Sequence, residues 1–135
     1  MIITAGGKKI APQKVEALLR RRPLISNAML HGDRRPYLVA LLTLDAEALA
    51  ASRPDLAARS ADDAGLLEAL RGEVAAVNSL LARFEQVKEF RVLPRDFSLE
   101  AGELTFTLKL KRRAIEAAWK PLLDEMYAPG AEGNS

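Results

Sequence analysis

Three features of this chain have the residue types and spacing to do chemistry. In "GELTFTLKLKRR", residues 102–113, an alternating apolar and hydroxyl run passes directly into four cations, Lys109, Lys111, Arg112 and Arg113. Cations at the start of the helix that follows oppose its dipole by up to ~1 kcal/mol, so their placement asks for a counter-anion. Phosphate is the anion that backbone N–H donors and lysine ammonium groups bind together. A solvated helix start accounts for the same residues without a ligand. The second feature is Gly6-Gly7-Lys8-Lys9. A Walker-type phosphate loop needs a longer glycine-spaced loop ending in Lys-Ser or Lys-Thr, whereas Ile10 and Ala11 follow here. The glycines instead give a tight turn, either a plain hairpin or one whose bare backbone lets another group pass close by. The third feature is His31, the only histidine.

One histidine and no cysteine exclude much. Thiolate catalysis, a disulfide framework and cysteine-based zinc sites are absent, and the lack of cysteine fits a reducing compartment. A Ser/His/Asp triad or a metal centre would have to be built on His31 alone, so none is expected. Lys and Arg total 20 against 18 Asp and Glu, a net charge of +2, so any basic function is local. Aromatic residues make up only 5%, too few to interleave with the cations as single-strand nucleic-acid readers require, and no nucleic-acid partner is expected. The basic cluster beside an apolar helix face allows at most a weak peripheral contact with an anionic membrane. No apolar run reaches the roughly 20 residues of a membrane span, and no signal peptide opens the chain, which makes the cytoplasm the expected location.

The elements that must position these residues follow from periodicity. With 135 residues, 49% hydrophobic and 28% charged, the chain has the balance of one globular domain. Residues 1–127 are expected to form it, with "APGAEGNS", 128–135, as a disordered tail. The β-branched start and Gly6-Gly7 predict a hairpin. Pro12 opens a helix carrying Val15, Leu18 and Leu19 on one face, and Arg20 to Arg22 crowd its last turn. "LISNAMLHG" and "YLVALLTL", joined by "GDRRP", read as antiparallel strands, with His31 in a structural strand-end position. An alanine-rich helix precedes a long one in which Leu67, Leu70, Val74, Val77, Leu81 and Phe84 recur at helical spacing, for core packing rather than a coiled coil. "VKEFRVLP" predicts a strand, then a loop with a short hairpin. A last helix carries Ile115, Trp119, Leu122 and Met126 on one face and is kinked or ended by Pro121. The fold class is α+β, a small antiparallel sheet and hairpins packed with about three to four helices.

Taken together, "ITAGGKKIAPQKVE", "GDRRPYLVALLTLD", "ARFEQVKEFRVLP" and "GELTFTLKLKRR" resemble, in order and over nearly the whole chain, the C-terminal subdomain of bacterial long-chain acyl-CoA synthetases. These belong to the adenylate-forming (AMP-binding) superfamily. The resemblance implies a two-step ligase in which fatty acid and ATP give acyl-adenylate and pyrophosphate, and coenzyme A then displaces AMP. It implies a small mobile domain that swings between two orientations against a larger N-terminal adenylation domain holding ATP, magnesium and fatty acid. No cofactor is expected on the small domain alone. Lys109 matches the family's catalytic lysine, which bridges the fatty-acid carboxylate and the ATP α-phosphate. Gly6 and Gly7 match the glycine loop lining the coenzyme A channel, and Lys9 falls where relatives place a cation near coenzyme A. Lys111, Arg112 and Arg113 are candidates for phosphate or interdomain contacts.

The sequence departs from the pattern in two ways. Relatives read Leu-Thr-Pro-Thr where this chain has Phe106 in place of proline. The chain also starts after the family's hinge residue and carries no ATP loop or acyl tunnel, so it is expected to be an excised, truncated or split piece, inactive alone. The alternative is a free-standing noncatalytic module that binds a protein partner, for instance through its long-helix face.

Overall fold

The computed structural model describes residues 1–57, 61 and 63–127, and the expected tail from residue 128 lies outside them. The chain opens with a two-stranded antiparallel hairpin, β1 (Ile2–Ile3) and β2 (Lys9–Ile10), turning at the glycines. Helix α1 (Pro12–Arg20) follows with Pro12 in its first turn, where the missing N–H costs nothing. Strands β3 (Ile25–His31) and β4 (Leu38–Leu44) pair antiparallel, as their alternating pattern and polar turn predict. Helices α2 (Ala46–Ser52) and α3 (Ala64–Asn78) start at Asp45 and Asp63, whose carboxylates accept from Ala48 N and Leu66 N at 3.0 Å. A short 3-10 helix (Arg83–Glu85) leads into β5 (Val87–Val92).

The order β3-β4-β5 puts β4 in the centre. Leu38 through Thr43 are all buried, which explains why this strand reads as an almost unbroken apolar run. Successive side chains serve opposite faces. Leu38, Ala40 and Leu42 join Ala28 and Leu30 under α1 and α3, where Val15, Leu19, Leu70 and Val74 pack. Val39, Leu41 and Met29 meet Ile115, Leu123 and Met126 on the other side. The fold is therefore three layers around a small sheet.

Three expectations need correction. The sheet is mixed, because β5 runs parallel to β4, with Leu38 opposite Val87 and Leu42 opposite Val92. Helices α2 and α3 carry the chain back to the end from which β4 started, as a parallel crossover must. On α3 it is Leu66, not Leu67, that is fully buried, and Phe84 lies beyond the helix, half-exposed, on the 3-10 turn. The last helix is interrupted, as Pro121 predicts, into α4 (Arg112–Ala118) and α5 (Lys120–Glu125), divided at Trp119, whose φ of −112° and ψ of 19° leave the helical region, but its buried face differs from the expected one. Pro121, in the first turn of α5, accounts for the break, since its ring and missing N–H cannot continue the α4 ladder. Leu123 takes the buried place expected for Leu122.

Candidate functional site

The stretch between β5 and α4 is a hairpin with a fixed root and a free tip. At the root, the buried carboxylate of Glu103 accepts from Arg95 Nη1 (2.6 Å) and Nη2 (3.2 Å), Trp119 Nε1 (3.1 Å) and Ser98 N (3.3 Å). Burial pushes this carboxyl up, but the Arg95 hydrogen bonds, those from Trp119 and Ser98, and the Arg95 charge outweigh it and hold it below the usual carboxylate range. The Glu103 carbonyl accepts from Lys111 N at 2.8 Å, and Leu104 bridges Leu110 antiparallel. Arg95 also stacks its guanidinium 5.7 Å from the Trp119 ring centre. The α4–α5 break thus places the indole over the hairpin root.

At the tip, Leu108 N donates to Thr105 O (2.8 Å) and Thr105 N to Lys109 O (2.9 Å), the pattern of a three-residue hairpin loop closed by a left-handed residue. Leu108 is that residue, with φ of 63°. The Thr105 hydroxyl accepts from Lys109 N and lies 3.0 Å from that of Thr107. Lys109 is exposed, and among the described residues its ammonium has no hydrogen-bond or ion-pair partner.

Arg112 is placed differently from its neighbours. Its guanidinium grips the Glu16 carboxylate with two hydrogen bonds of 2.6 and 2.5 Å, and Leu30 N donates to the same carboxylate at 2.6 Å. Glu16 is 1% exposed, on the buried face of α1. Lys111 and Arg113 point to solvent. The structure therefore uses Arg112 to tie the lysine segment to α1 and β3. Sequence reasoning missed this pair, although an acid between Val15 and Leu19 on an apolar stripe signals a buried carboxylate that needs a cation.

The glycine turn is equally open. Gly7 has φ of 82°, and Gly7 N donates to Thr4 O at 2.9 Å. A Cβ on Gly6 or Gly7 would meet nothing within 4 Å, so the bare backbone faces unoccupied space. The hairpin leans on the β3–β4 turn through Ala5 N to Arg35 O (2.9 Å), Arg34 N to Ile3 O (2.8 Å) and Ile3 N to Asp33 Oδ1 (3.0 Å). Beside it opens a cleft of about 210 Å³ whose lining includes Gly6, Lys8, Arg83, Phe84 and Lys88. Lys8 Nζ stands 5.5 Å from the Phe84 ring centre. Lys9 is exposed on β2 and does not line this cleft. The basic lining is assembled from segments far apart in sequence. A larger cleft, about 570 Å³, runs along β5 between α3 and α5 and contains none of the expected site residues.

His31 packs at the end of β3 with Nδ1 2.5 Å from Glu116 Oε2, a tie between the sheet and α4. Among the described residues no group of three or more His, Cys, Asp or Glu side chains could hold a metal ion. No helix among them is long and apolar enough to cross a membrane.

The family model for the AMP-binding enzyme C-terminal domain matches residues 1–131. The chain belongs to that family. A long-chain-fatty-acid–CoA ligase of Mycobacterium tuberculosis is 36% identical over 138 aligned residues, covering 94% of this chain and 22% of the ligase. A long-chain-fatty-acid–CoA ligase of Gallus gallus is 34% identical over 95% of this chain and 20% of its own length. The chain thus spans about a fifth of the length of these curated relatives. Among solved structures, the A-PCP didomain of a carboxylic acid reductase from Segniliparus rugosus, in complex with AMP, superposes with a TM-score of 0.78 over 97% of this chain and 18% of that one at 25% identity. The adenylation domain of a carboxylate reductase from Mycobacterium chelonae gives 0.75 over 94% of this chain and 19% of that one at 26% identity. This C-terminal domain is of the kind that pairs with an adenylation domain, and its α+β fold is theirs.

Proposed function

We propose that this C-terminal domain serves a long-chain fatty acid–CoA ligase, supplying Lys109 to the first half-reaction and the glycine turn to the second. The observation that carries the proposal is the contrast within one hairpin: a root held by a buried carboxylate, and at the tip an exposed lysine whose ammonium no other described residue engages. In the first step a fatty-acid carboxylate oxygen attacks the α-phosphorus of ATP and pyrophosphate leaves. Both reactants are anionic, and a preorganised ammonium between carboxylate and α-phosphate lowers the cost of bringing them together. In the second step the thiol of coenzyme A attacks the acyl carbonyl and AMP leaves. Gly6 and Gly7 let the pantetheine arm pass because no side chain stands in the way. Lys9 contributes positive charge near the turn, and the cleft with Lys8, Arg83 and Lys88 adds cations facing the same end. ATP, magnesium and the fatty acid belong to the adenylation domain.

The test is Lys109→Ala in a polypeptide that joins this domain to an adenylation domain. Acid-dependent pyrophosphate release is expected to fall by about 10²–10³-fold, the usual effect of removing one electrostatic contact to a transition state. Acyl-CoA formation from preformed acyl-adenylate is expected to persist. A harmless substitution would return the basic cluster to the role of a solvated helix start.

A further inference from the structure

Phe106 is 91% exposed and Leu108 70%, and both stand on the tip that carries Lys109. Single exposed apolar residues are ordinary, but two on one tight hairpin beside an unpartnered lysine are not. Leu108 adds a second observation. Its φ of 63° sits where a three-residue hairpin loop favours glycine, so a branched side chain is kept against the backbone's preference. Among the described residues nothing covers either side chain, while the root of the same hairpin is held by Arg95, Trp119 and Lys111.

We propose that Phe106 and Leu108 are apolar anchors that seat the hairpin in an apolar surface of the adenylation domain, and so are positioning residues for Lys109. The proposal rests on the assignment of Lys109 given above. The chain makes up about a fifth of the relatives it matches, and the reacting carboxylate and phosphate must lie in the remainder. A lysine that reaches them carries Phe106 and Leu108 into the same cleft. Covering these side chains expels water around the ammonium, which strengthens its attraction to both anions. When the domain turns to present the glycine face, the anchors are released, so their burial favours the adenylating orientation alone. A lipid surface is the weaker occupant, because two apolar side chains with Lys109, Lys111 and Arg113 give only marginal attachment.

Phe106→Ala, Phe106→Leu and Leu108→Gly are compared in the joined polypeptide, with Lys109→Ala alongside. The melting temperature of each isolated domain checks folding, and Leu108→Gly is expected to leave it unchanged or raise it by relieving the backbone. Phe106→Ala and Leu108→Gly are each expected to lower kcat/KM for pyrophosphate release by about tenfold, as when one large apolar contact is lost. Phe106→Leu should stay near the parent, and acyl-CoA formation from supplied acyl-adenylate should change by less than about twofold in every variant. A purely structural role would not combine a more stable domain with slower adenylation. Adenylation within about twofold of the parent in both variants overturns the proposal, as does equal damage to both half-reactions. So does a loss confined to co-sedimentation with anionic phospholipid vesicles while adenylation is unchanged, which would assign the tip to lipid. If Lys109→Ala abolishes adenylation while the tip variants are normal, only the anchors fall; if Lys109→Ala is harmless, the assignment of Lys109 falls first.

Discussion

Arg112→Ala separates two roles for one cation of the basic cluster. In the structure its guanidinium makes two short hydrogen bonds to Glu16, which is 1% exposed, while the Arg112 side chain itself is 30% exposed. Removing one partner of a buried ion pair costs ~3–5 kcal/mol, because the remaining charge is stranded away from water. Here the arginine is partly solvated and Leu30 N still donates to the carboxylate, so the expected loss is about 2–3 kcal/mol. For a domain of this size that lowers the melting temperature by roughly 6–12 °C. Urea denaturation of the isolated chain, followed by circular dichroism, measures it directly. Replacing both partners, Glu16→Leu with Arg112→Leu, strands no charge but takes the acceptor from Leu30 N, so it should recover only part of the loss. A destabilisation by Arg112→Ala below about 0.5 kcal/mol, the scatter of ordinary surface changes, would refute the structural role and return Arg112 to the candidates for ligand contact.

The isolated 135-residue chain is expected to release no pyrophosphate from ATP with a long-chain acid, and robust acid-dependent release would contradict the division of labour between the domains. In the joined polypeptide, Gly7→Leu is expected to impair acyl transfer to coenzyme A while sparing adenylation, the reverse of Lys109→Ala; followed by acyl-CoA formation from preformed adenylate, equal loss of both steps would point to misfolding at the strained φ of 82° instead. Glu103 titrates below its unfolded value of about 4.3, so the folded state binds fewer protons in that range and the stability it contributes is present above about pH 5 and lost as pH falls through the folded value. Glu103→Gln should flatten the fall in stability as pH drops below about 5, and identical slopes would argue against the buried network. Amide exchange at Phe106 and Thr107, on the exposed hairpin tip, should be far faster than at Leu42 in the central strand; uniformly slow exchange from Glu103 to Leu108 would count against a free tip.

Much of the layout could be read from local pattern because local physics sets it. Pro12, the glycine turn, the β3–β4 hairpin and the helix breaker Pro121 act within a few residues of themselves. The direction of β5 could not be read, because nothing inside "VKEFRV" distinguishes a strand returning by hairpin from one returning by crossover. Leu66 and Leu67 both fit the helical period, and only the packing of α3 against α1 and the sheet chooses between them. Phe84 drops out of phase because the chain leaves the helix after Asn78. Gly6 and Gly7 were legible as a tight turn, while Lys109 stood out only through the family resemblance, because its pattern alone reads as a helix start. The Glu16–Arg112 tie and the cleft with Lys8 and Lys88 were not, since their members meet only after the whole domain has folded.

The central strand also has a mechanical consequence. β4 is the common wall of two cores, one under α1 and α3 and the other under α4 and α5. Interiors packed this densely transmit strain instead of absorbing it, so a push on one face of the wall is felt on the other. The Glu16–Arg112 tie closes the same frame at its margin. The glycine turn and the lysine hairpin are thus held at a fixed spacing, like two fittings on one stiff lever. Under the roles proposed for these two sites, exchanging one for the other at a reaction centre would require the lever to turn as a piece, with its bending confined to whatever joins it to its neighbour.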